Sequence, residues 1–132
     1  MKIALIGYGK MGKAIEEIAV QNGHEIVLCI GIENLEDFTI ENVQKANVAI
    51  EFTSPHSAAA NIKKCMDAGV AVVCGSTGWL AQWPEIEKYC MDKNGALLYA
   101  SNFSIGVNLF FEVNSFLASL MAKHLWLFRF HF

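Results

Sequence analysis

The sequence predicts an α/β protein: a doubly wound parallel sheet in a single domain that ends in a long apolar helix. Short apolar runs alternate five times with segments of helical periodicity. The first apolar run leads directly into three glycines at the spacing G-x-G-x-x-G, and these glycines open a helical pattern. The chain has 132 residues, of which 54% are hydrophobic, so it is large enough to bury a core.

The first strand, turn and helix form the most informative stretch. Residues 3–6 are apolar and predict a buried parallel strand. Gly7 permits a sharp turn, Gly9 lets a ligand approach the backbone, and Gly12 lets the helix pack close to the strand. The free N–H groups at the start of the helix face the position where a pyrophosphate would lie. We expect the apolar face of this helix at Met11, Ile15, Ile18 and Ala19.

This turn predicts a dinucleotide site, and the alternative is a glycine-rich turn without a ligand. Lys10 and Lys13 either supply charge to the phosphates or are solvated helix residues. An acid is expected at the end of the second strand to hold the ribose hydroxyls, and Glu33 is the candidate, although Gly31 occupies an equally suitable position. No Arg or Lys lies between residues 24 and 44, which favours NADH over NADPH; both remain candidates.

The later elements follow the same alternation. Strands are expected at residues 24–30, 48–52, 70–74 and 96–99, and helices at 40–45, 55–68, 84–93 and 105–122. Ser54 is expected to cap the helix that starts with Pro55. Right-handed crossovers bring the carboxyl ends of parallel strands to one edge. The loops that begin at Gly7, Phe52, Gly75 and Ser101 should therefore gather there.

Three of these features have two interpretations each. The loop Gly75–Gly78 either holds the carboxamide of a nicotinamide by main-chain hydrogen bonds or is an ordinary strand-to-helix turn. Phe103 either walls the ring pocket or belongs to the core, and Glu51 is either a buried acid or points to the ligand edge. No general acid, nucleophile elbow, paired carboxylates or P-loop stands out, so no catalytic residue is assigned in this chain.

The composition excludes several classes of protein. The net charge is −3 and the basic residues are not clustered, so no nucleic-acid partner is expected. We expect no signal peptide, no apolar stretch of about 20 residues that could span a membrane, and a cytoplasmic location. The four cysteines lack metal-ligand spacing and are expected to be reduced packing residues, with no metal site.

Three local patterns together resemble the dihydrodipicolinate reductase family, also named 4-hydroxy-tetrahydrodipicolinate reductase. Gly7–Gly12 is similar to the G-x-G-[RK]-M-G fingerprint of that family. Glu51-Phe52-Thr53 and Gly75–Gly78 are similar to its D-F-[TS] and G-T-T-G segments. Residues 100–108, Ala-Ser-Asn-Phe-Ser-Ile-Gly-Val-Asn, resemble its A-x-N-[FM]-S-x-G-V-N segment. The patterns match in order and spacing over residues 1 to 123.

The resemblance implies an NAD(P)H-dependent oxidoreductase of lysine and diaminopimelate biosynthesis, with a Rossmann-like fold, that transfers hydride to a cyclic dicarboxylate. NADH or NADPH would be its cofactor. The implied cofactor-binding residues are Gly7, Tyr8, Gly9, Lys10, Met11, Gly12, Glu33, Phe52, Thr53, Gly75, Ser76, Thr77, Ser101, Asn102, Phe103 and Ser104. Ser76 stands where the family pattern has Thr and keeps a hydroxyl.

The chain departs from the family pattern at its end. A second domain with a His-His-x-x-Lys-x-Asp-Ala-Pro-Ser-Gly-Thr segment, which the family uses to bind the dicarboxylate substrate, has no counterpart here. We therefore expect a dinucleotide-binding domain at residues 1–123, an aberrant apolar tail at 124–132, and a truncated chain that is inactive alone.

The functional alternatives follow from this departure. One is a non-catalytic NAD(P)-binding regulatory module that dimerises through Phe110, Phe111 and the tail. Whether the chain is a truncated reductase or such a module, a homo-oligomer would form through the apolar C-terminal helix and tail. A semialdehyde reductase would need a catalytic cysteine in a ligand loop, and Cys74 lies inside the fourth strand instead.

Overall fold

The sheet of the computed structural model has five parallel strands in the order β2-β1-β3-β4-β5. The structure describes the backbone of residues 1–128 and the side chains of residues 1–123. The strands are β1 (Lys2–Ile6), β2 (Glu25–Ile30), β3 (Val48–Glu51), β4 (Ala71–Cys74) and β5 (Leu97–Tyr99). The helices are α1 (Lys10–Gln21), α2 (Ile40–Val43), α3 (Ala58–Asp67), α4 (Trp83–Asp92) and α5 (Ile105–Phe128), with 3₁₀ turns at Leu35–Asp37 and Leu80–Gln82.

The predicted doubly wound parallel sheet is confirmed. The chain leaves β1 toward β2 on one side and returns to place β3 on the other side of β1. The strand order therefore reverses between β1 and β3, and ligands of open α/β sheets bind at this kind of switch point. The sheet hydrogen bonds continue past the strand ends there, because the Phe52 N–H donates to the Ile6 carbonyl at 2.8 Å.

The alternation of side chains along β1 builds a core on each face of the sheet. Ile3 and Leu5 pack with Ala19 of α1 on one face. Ala4 and Ile6 face the opposite way, into the larger cluster that contains residues of α3 and α4, among them Ile62 and Ile86. Both faces of β1 are buried, which explains why its sequence is continuously apolar rather than alternating.

Two helix predictions need correction. The third helix begins at Ala58, not at Pro55, because Ser54 and Ser57 form a turn in which the Ser54 carbonyl accepts the Ala58 N–H at 3.0 Å. The buried residues of α1 are Gly12 and Ala19, and half-buried Ile15 packs with Ala19. Two residues of the predicted apolar face of α1, Met11 and Ile18, are more than half exposed.

The chain divides into two compact units, Met1–Ser101 and Asn102–Phe132. Within the described part of the second unit, α5 continues past the predicted end at residue 122 to Phe128. The proposed boundary at residue 123 stays a prediction, and residues 129–132 of the predicted tail lie outside the described residues.

The side chains of α5 are largely exposed along its described length. Large apolar residues contribute most of this surface: Ile105, Leu109, Phe110, Phe111, Val113, Phe116, Leu117, Leu120 and Met121. Ile105–Lys123, 19 residues with mean hydropathy 1.4, is long and apolar enough to cross a membrane by length and composition alone. The expectation that no stretch reaches this length is therefore wrong, whereas the absence of a membrane partner stays a prediction.

Candidate cofactor-binding site

The turn after β1 is shaped by Gly7. Its backbone has φ +104°, a conformation that glycine adopts without strain. The N–H groups of Gly7 and Tyr8 both donate to the Ile30 carbonyl, at 2.9 and 2.8 Å. A Cβ at Gly7 would lie 2.0 Å from the Phe52 carbonyl oxygen. The turn therefore requires glycine here, as the sequence predicted.

The other two glycines of the turn have opposite surroundings. A Cβ at Gly12 would lie 2.6 Å from the Gly7 carbonyl oxygen, so only glycine lets α1 pack this close to the turn. A Cβ at Gly9 would meet no atom within 4 Å, so the space beside Gly9 is open. The first hydrogen bond of α1 runs from the Lys13 N–H to the Gly9 carbonyl at 3.0 Å. The N–H groups just before it have no acceptor inside the helix and are available to a phosphate.

The side chains of this turn are Tyr8, Lys10, Met11 and Lys13. The Tyr8 hydroxyl donates to the Glu16 carboxylate, and this hydrogen bond is the main cause that raises the pKa of Tyr8 to about 12. The Lys13 ammonium lies 5.9 Å from the centre of the Tyr8 ring. Lys10 and Met11 are exposed at the start of α1. The structure therefore ties Tyr8 to α1 and leaves Lys10 on the surface beside the open space at Gly9.

The turn after β2 is held by a residue that sequence reasoning missed, Asn34. Its side-chain oxygen accepts the Gly31 N–H at 2.8 Å, and its amide group donates to the Cys29 carbonyl at 2.9 Å. Glu33 is exposed in this turn, and its proposed contact with a ribose stays a prediction. The signal for Asn34 was present, since asparagine side chains commonly hydrogen-bond nearby backbone in turns.

The loops after β3 and β4 contact each other directly. The ring of Phe52 covers Gly75 so closely that a Cβ at Gly75 would lie 2.1 Å from ring carbons. Ser76 is buried, and its hydroxyl oxygen accepts the Thr53 N–H at 2.7 Å. Thr77 is exposed. The structure thus brings together Phe52, Thr53, Gly75 and Ser76 at the carboxyl edge of the sheet.

Trp79 anchors the loop after β4 by a buried hydrogen bond. Its indole N–H donates to the Ser76 carbonyl at 2.8 Å, and its side chain is 1% exposed. The rings of Trp83 and Tyr99 lie 5.8 and 5.3 Å from the Trp79 ring, centre to centre. This aromatic cluster was not predicted, because its members come from a loop, α4 and β5.

Glu51, for which two interpretations stood open, is a buried acid. It is fully buried at the end of β3. One carboxylate oxygen accepts the N–H of Thr53 at 3.1 Å and also the Thr53 hydroxyl. The other accepts the Cys74 thiol at 3.0 Å. The carboxylate therefore lies beneath the loop instead of pointing to the open edge.

Cys74 is unsuited to act as a nucleophile. It is the last residue of β4 and is fully buried. Burial, and next the hydrogen bond to Glu51, raise the pKa of its thiol to about 12. A semialdehyde reductase chemistry that uses Cys74 is therefore disfavoured, since the reactive form of a cysteine is the thiolate.

Ser101 ends the first unit, whereas Asn102, Phe103 and Ser104 belong to the second. The Asn102 side-chain oxygen accepts the Ser104 N–H at 2.8 Å. The Asn108 amide donates to the carbonyls of Asn102 and Ser104, at 3.0 and 2.8 Å. These residues organise the start of α5, and Phe103 is 43% exposed rather than a core residue. Their predicted contact with a cofactor stays a prediction.

Comparison with known proteins matches this chain to one family. The family model described as dihydrodipicolinate reductase, N-terminus, matches residues 1–103. A 4-hydroxy-tetrahydrodipicolinate reductase of Christiangramia forsetii is 46% identical over 125 residues, which are 92% of this chain and 50% of that protein. The 4-hydroxy-tetrahydrodipicolinate reductase of Methanocaldococcus jannaschii is 38% identical over 81 residues, which are 61% of this chain and 30% of that protein. The chain thus spans half or less of the length of these relatives.

Solved structures with this fold include dehydrogenases. An NAD-binding protein from Listeria innocua has a TM-score of 0.62 at 18% identity, over 76% of this chain and 34% of that one. A hyperthermophilic archaeal homoserine dehydrogenase mutant in complex with NADPH has a TM-score of 0.57 at 17% identity, over 74% and 43%. At these identities the likeness shows the fold alone, and the sequence matches show the family. The chain belongs to the dihydrodipicolinate reductase family and corresponds to its N-terminal part.

Proposed function

We propose that this chain is the cofactor-binding half of a 4-hydroxy-tetrahydrodipicolinate reductase and binds NADH or NADPH. The observation that carries this proposal is the contrast between Gly9 and Gly12. A Cβ at Gly12 would lie 2.6 Å from the Gly7 carbonyl oxygen, whereas the space at Gly9 is open. That space lies beside the first N–H groups of α1, which have no acceptor inside the helix. This arrangement suits a pyrophosphate bound at the start of α1.

The resemblance to the reductase family implies the roles of the remaining residues. Phe52 and Thr53 would lie along the cofactor near its ribose and pyrophosphate, and Gly75, Ser76 and Thr77 would border the nicotinamide. The bound cofactor supplies the hydride. The chain orients it, because the ring of Phe52 on Gly75 and the hydrogen bond from Thr53 to Ser76 keep the two loops together.

We also propose that this chain alone does not turn over substrate. Within the described side chains, the acid closest to these loops is Glu51, and its carboxylate accepts hydrogen bonds beneath the loop instead of facing the edge. The measurement is the loss of reduced-nicotinamide absorbance with the cyclic dicarboxylate substrate. Clear turnover by the chain alone would contradict this proposal without affecting cofactor binding.

Binding itself is tested with a variant that the structure predicts to fold. Gly9→Ala places a methyl group in open space, so folding should be unaffected, but the methyl occupies the side from which the phosphates approach. We expect NADH and NADPH to bind the wild type in calorimetry and to bind G9A at least about tenfold more weakly, a loss of about 1.4 kcal/mol. The control is Gly95→Ala, where a Cβ would make ordinary contacts at 3.5 Å before β5. Equal binding to G9A and the wild type would refute the pyrophosphate site.

We further propose a cytoplasmic homo-oligomer that associates through α5. The support is the exposed apolar surface of this helix along its described length, since surfaces of this kind mark association sites. The test is light scattering on the wild type and on Phe110→Ser. A monomer at all concentrations for both proteins would contradict association.

A further inference from the structure

Glu51 is the one fully buried acidic side chain among the described residues. Four donors point at its carboxylate: the Thr53 N–H, the Thr53 hydroxyl, the Cys74 thiol, and the Asn61 amide at 3.5 Å. Three elements or loops therefore converge on one side chain, namely the loop after β3, the end of β4, and α3.

The hydrogen bonds of Thr53 connect this carboxylate to the second loop. The Thr53 N–H is shared between a Glu51 carboxylate oxygen at 3.1 Å and the Ser76 hydroxyl oxygen at 2.7 Å. The regular hydrogen bonds between β3 and β4 end just before this point, where the Gly75 N–H donates to the Glu51 carbonyl at 2.9 Å. Past the sheet, Glu51 and Ser76 together determine where the Thr53 backbone lies.

Stability alone does not explain a carboxylate at this position. The ion pairs among the described side chains are Lys63–Glu85 and Lys93–Asp67, so the contacts of Glu51 are hydrogen-bond donors without a cation. Burying a charged group without an oppositely charged partner is costly, and hydrogen bonds to that group offset only part of the cost. A buried polar group that is fully hydrogen-bonded can instead specify one arrangement of the groups around it.

We propose that Glu51 is a positioning residue that holds the loops after β3 and β4 in the arrangement that binds the nicotinamide half of the cofactor. This inference rests on the proposed function, which places the loop after β4 at the nicotinamide and the loop after β3 near the ribose and pyrophosphate. Glu51 acts through Thr53 and Ser76 and does not itself touch the cofactor.

The test compares three variants of the full chain. Glu51→Met keeps an unbranched side chain of similar length and removes both acceptor oxygens. Glu51→Gln keeps one acceptor oxygen for Thr53. Cys65→Ala is the matched control: this fully buried residue of α3 is close enough for the Glu51 charge to raise its thiol pKa, but it makes no hydrogen bond to either loop. Binding of NADH and of ADP, which lacks the nicotinamide half, is measured by calorimetry, and folding by urea denaturation.

We expect E51M to bind NADH at least about tenfold more weakly than the wild type and ADP within about threefold. It should unfold at a lower urea concentration, because the Thr53 hydroxyl and the Cys74 thiol lose their acceptor. E51Q should recover NADH affinity to within about threefold of the wild type, and C65A should bind as the wild type does. A purely structural role would instead weaken the binding of NADH and of ADP by the same factor.

Two outcomes would overturn the inference, and they are distinguishable. If the wild type binds NADH and E51M binds it equally well, the positioning role is wrong and the proposed function stands. If the wild type binds neither NADH nor NADPH, both proposals fail. Should E51M not fold, Ser76→Ala separates Thr53 from the second loop without changing Glu51. Its Thr53 amide should then exchange faster with solvent and its NADH affinity should fall, and no change in either would refute the link.

Discussion

The ring of Phe52 lies against the backbone of Gly75, so that a Cβ at Gly75 would be 2.1 Å from two ring carbons. Phe52 follows β3 and Gly75 follows β4, and these strands are neighbours in the sheet. The glycine of the second loop is therefore required by a side chain of the first. Its φ does not lie in the left-handed region, so the requirement comes from space and not from backbone conformation.

Gly75→Ala should destabilise the protein, because the new methyl group and the Phe52 ring cannot occupy the same space. We expect a loss of about 1–3 kcal/mol in the free energy of unfolding, typical of overpacking, measured by urea denaturation. In the double variant Phe52→Leu/Gly75→Ala the smaller side chain should recover part of this loss. Additive effects of the two substitutions would show that the contact is not what makes glycine necessary.

Trp79→Phe should loosen the loop after β4. Phenylalanine cannot donate to the Ser76 carbonyl, and a buried acceptor without its donor costs about 1–3 kcal/mol. Trp83→Phe is the matched control, since Trp83 belongs to the same aromatic cluster and is only half-buried. Urea denaturation should show a clearly larger loss for W79F. Equal losses would mean that the indole hydrogen bond contributes little.

Glu33→Lys should shift the cofactor preference toward NADPH. The turn after β2 carries an exposed acid and no basic residue, and in this fold it lies where the 2′ position of the adenine ribose is read. We expect the wild type to bind NADH more tightly than NADPH, and the ratio of the two dissociation constants to change by at least about tenfold in E33K. Glu87→Lys on α4 makes the same charge change elsewhere. If E87K shifts the ratio as much, the effect is one of net charge.

Alkaline pH should unfold the protein through its two buried thiols. Burial, with a further contribution from Glu51, raises the pKa of both Cys65 and Cys74 from 9.0 to about 12. The unfolded chain therefore releases these protons first, so stability is fully present below pH 9 and is lost as the pH rises toward 12.

Urea denaturation at a series of pH values tests this dependence. Replacing one thiol, as in Cys65→Ala, should reduce the slope of stability against pH above the ordinary thiol pKa. The slope should be unchanged in Ile62→Val, a variant of a buried residue of the same helix that does not titrate. A slope in C65A equal to that of the wild type would show that Cys65 is not protected in the folded state.

Most of the fold could be predicted because its signals are local. Each strand lies within one residue of its predicted limits, since apolar runs that end at turn residues mark a buried strand. The start of α3 was misplaced because Ser54-Pro55 is a common beginning of a helix, whereas here Ser54 and Ser57 bond to each other at 2.8 Å in a turn. The exposure of Met11 and Ile18 depends on the orientation of α1 against the sheet, and sequence periodicity does not determine that orientation.

The sequence by itself determined the parallel α/β architecture, the glycine turn after β1 and the family, because each depends on residue types at short, fixed spacings. Only the tertiary structure decided what surrounds those residues. The space beside Gly12 is filled by the Gly7 carbonyl, and the space beside Gly9 is open. The ring of Phe52 lies on Gly75, and Glu51 is buried beneath Thr53. The contacts of Phe52 with Gly75, of Glu51 with Cys74 and of Thr53 with Ser76 join residues that are distant in the chain. They exist only because the strand order makes β3 the neighbour of β4.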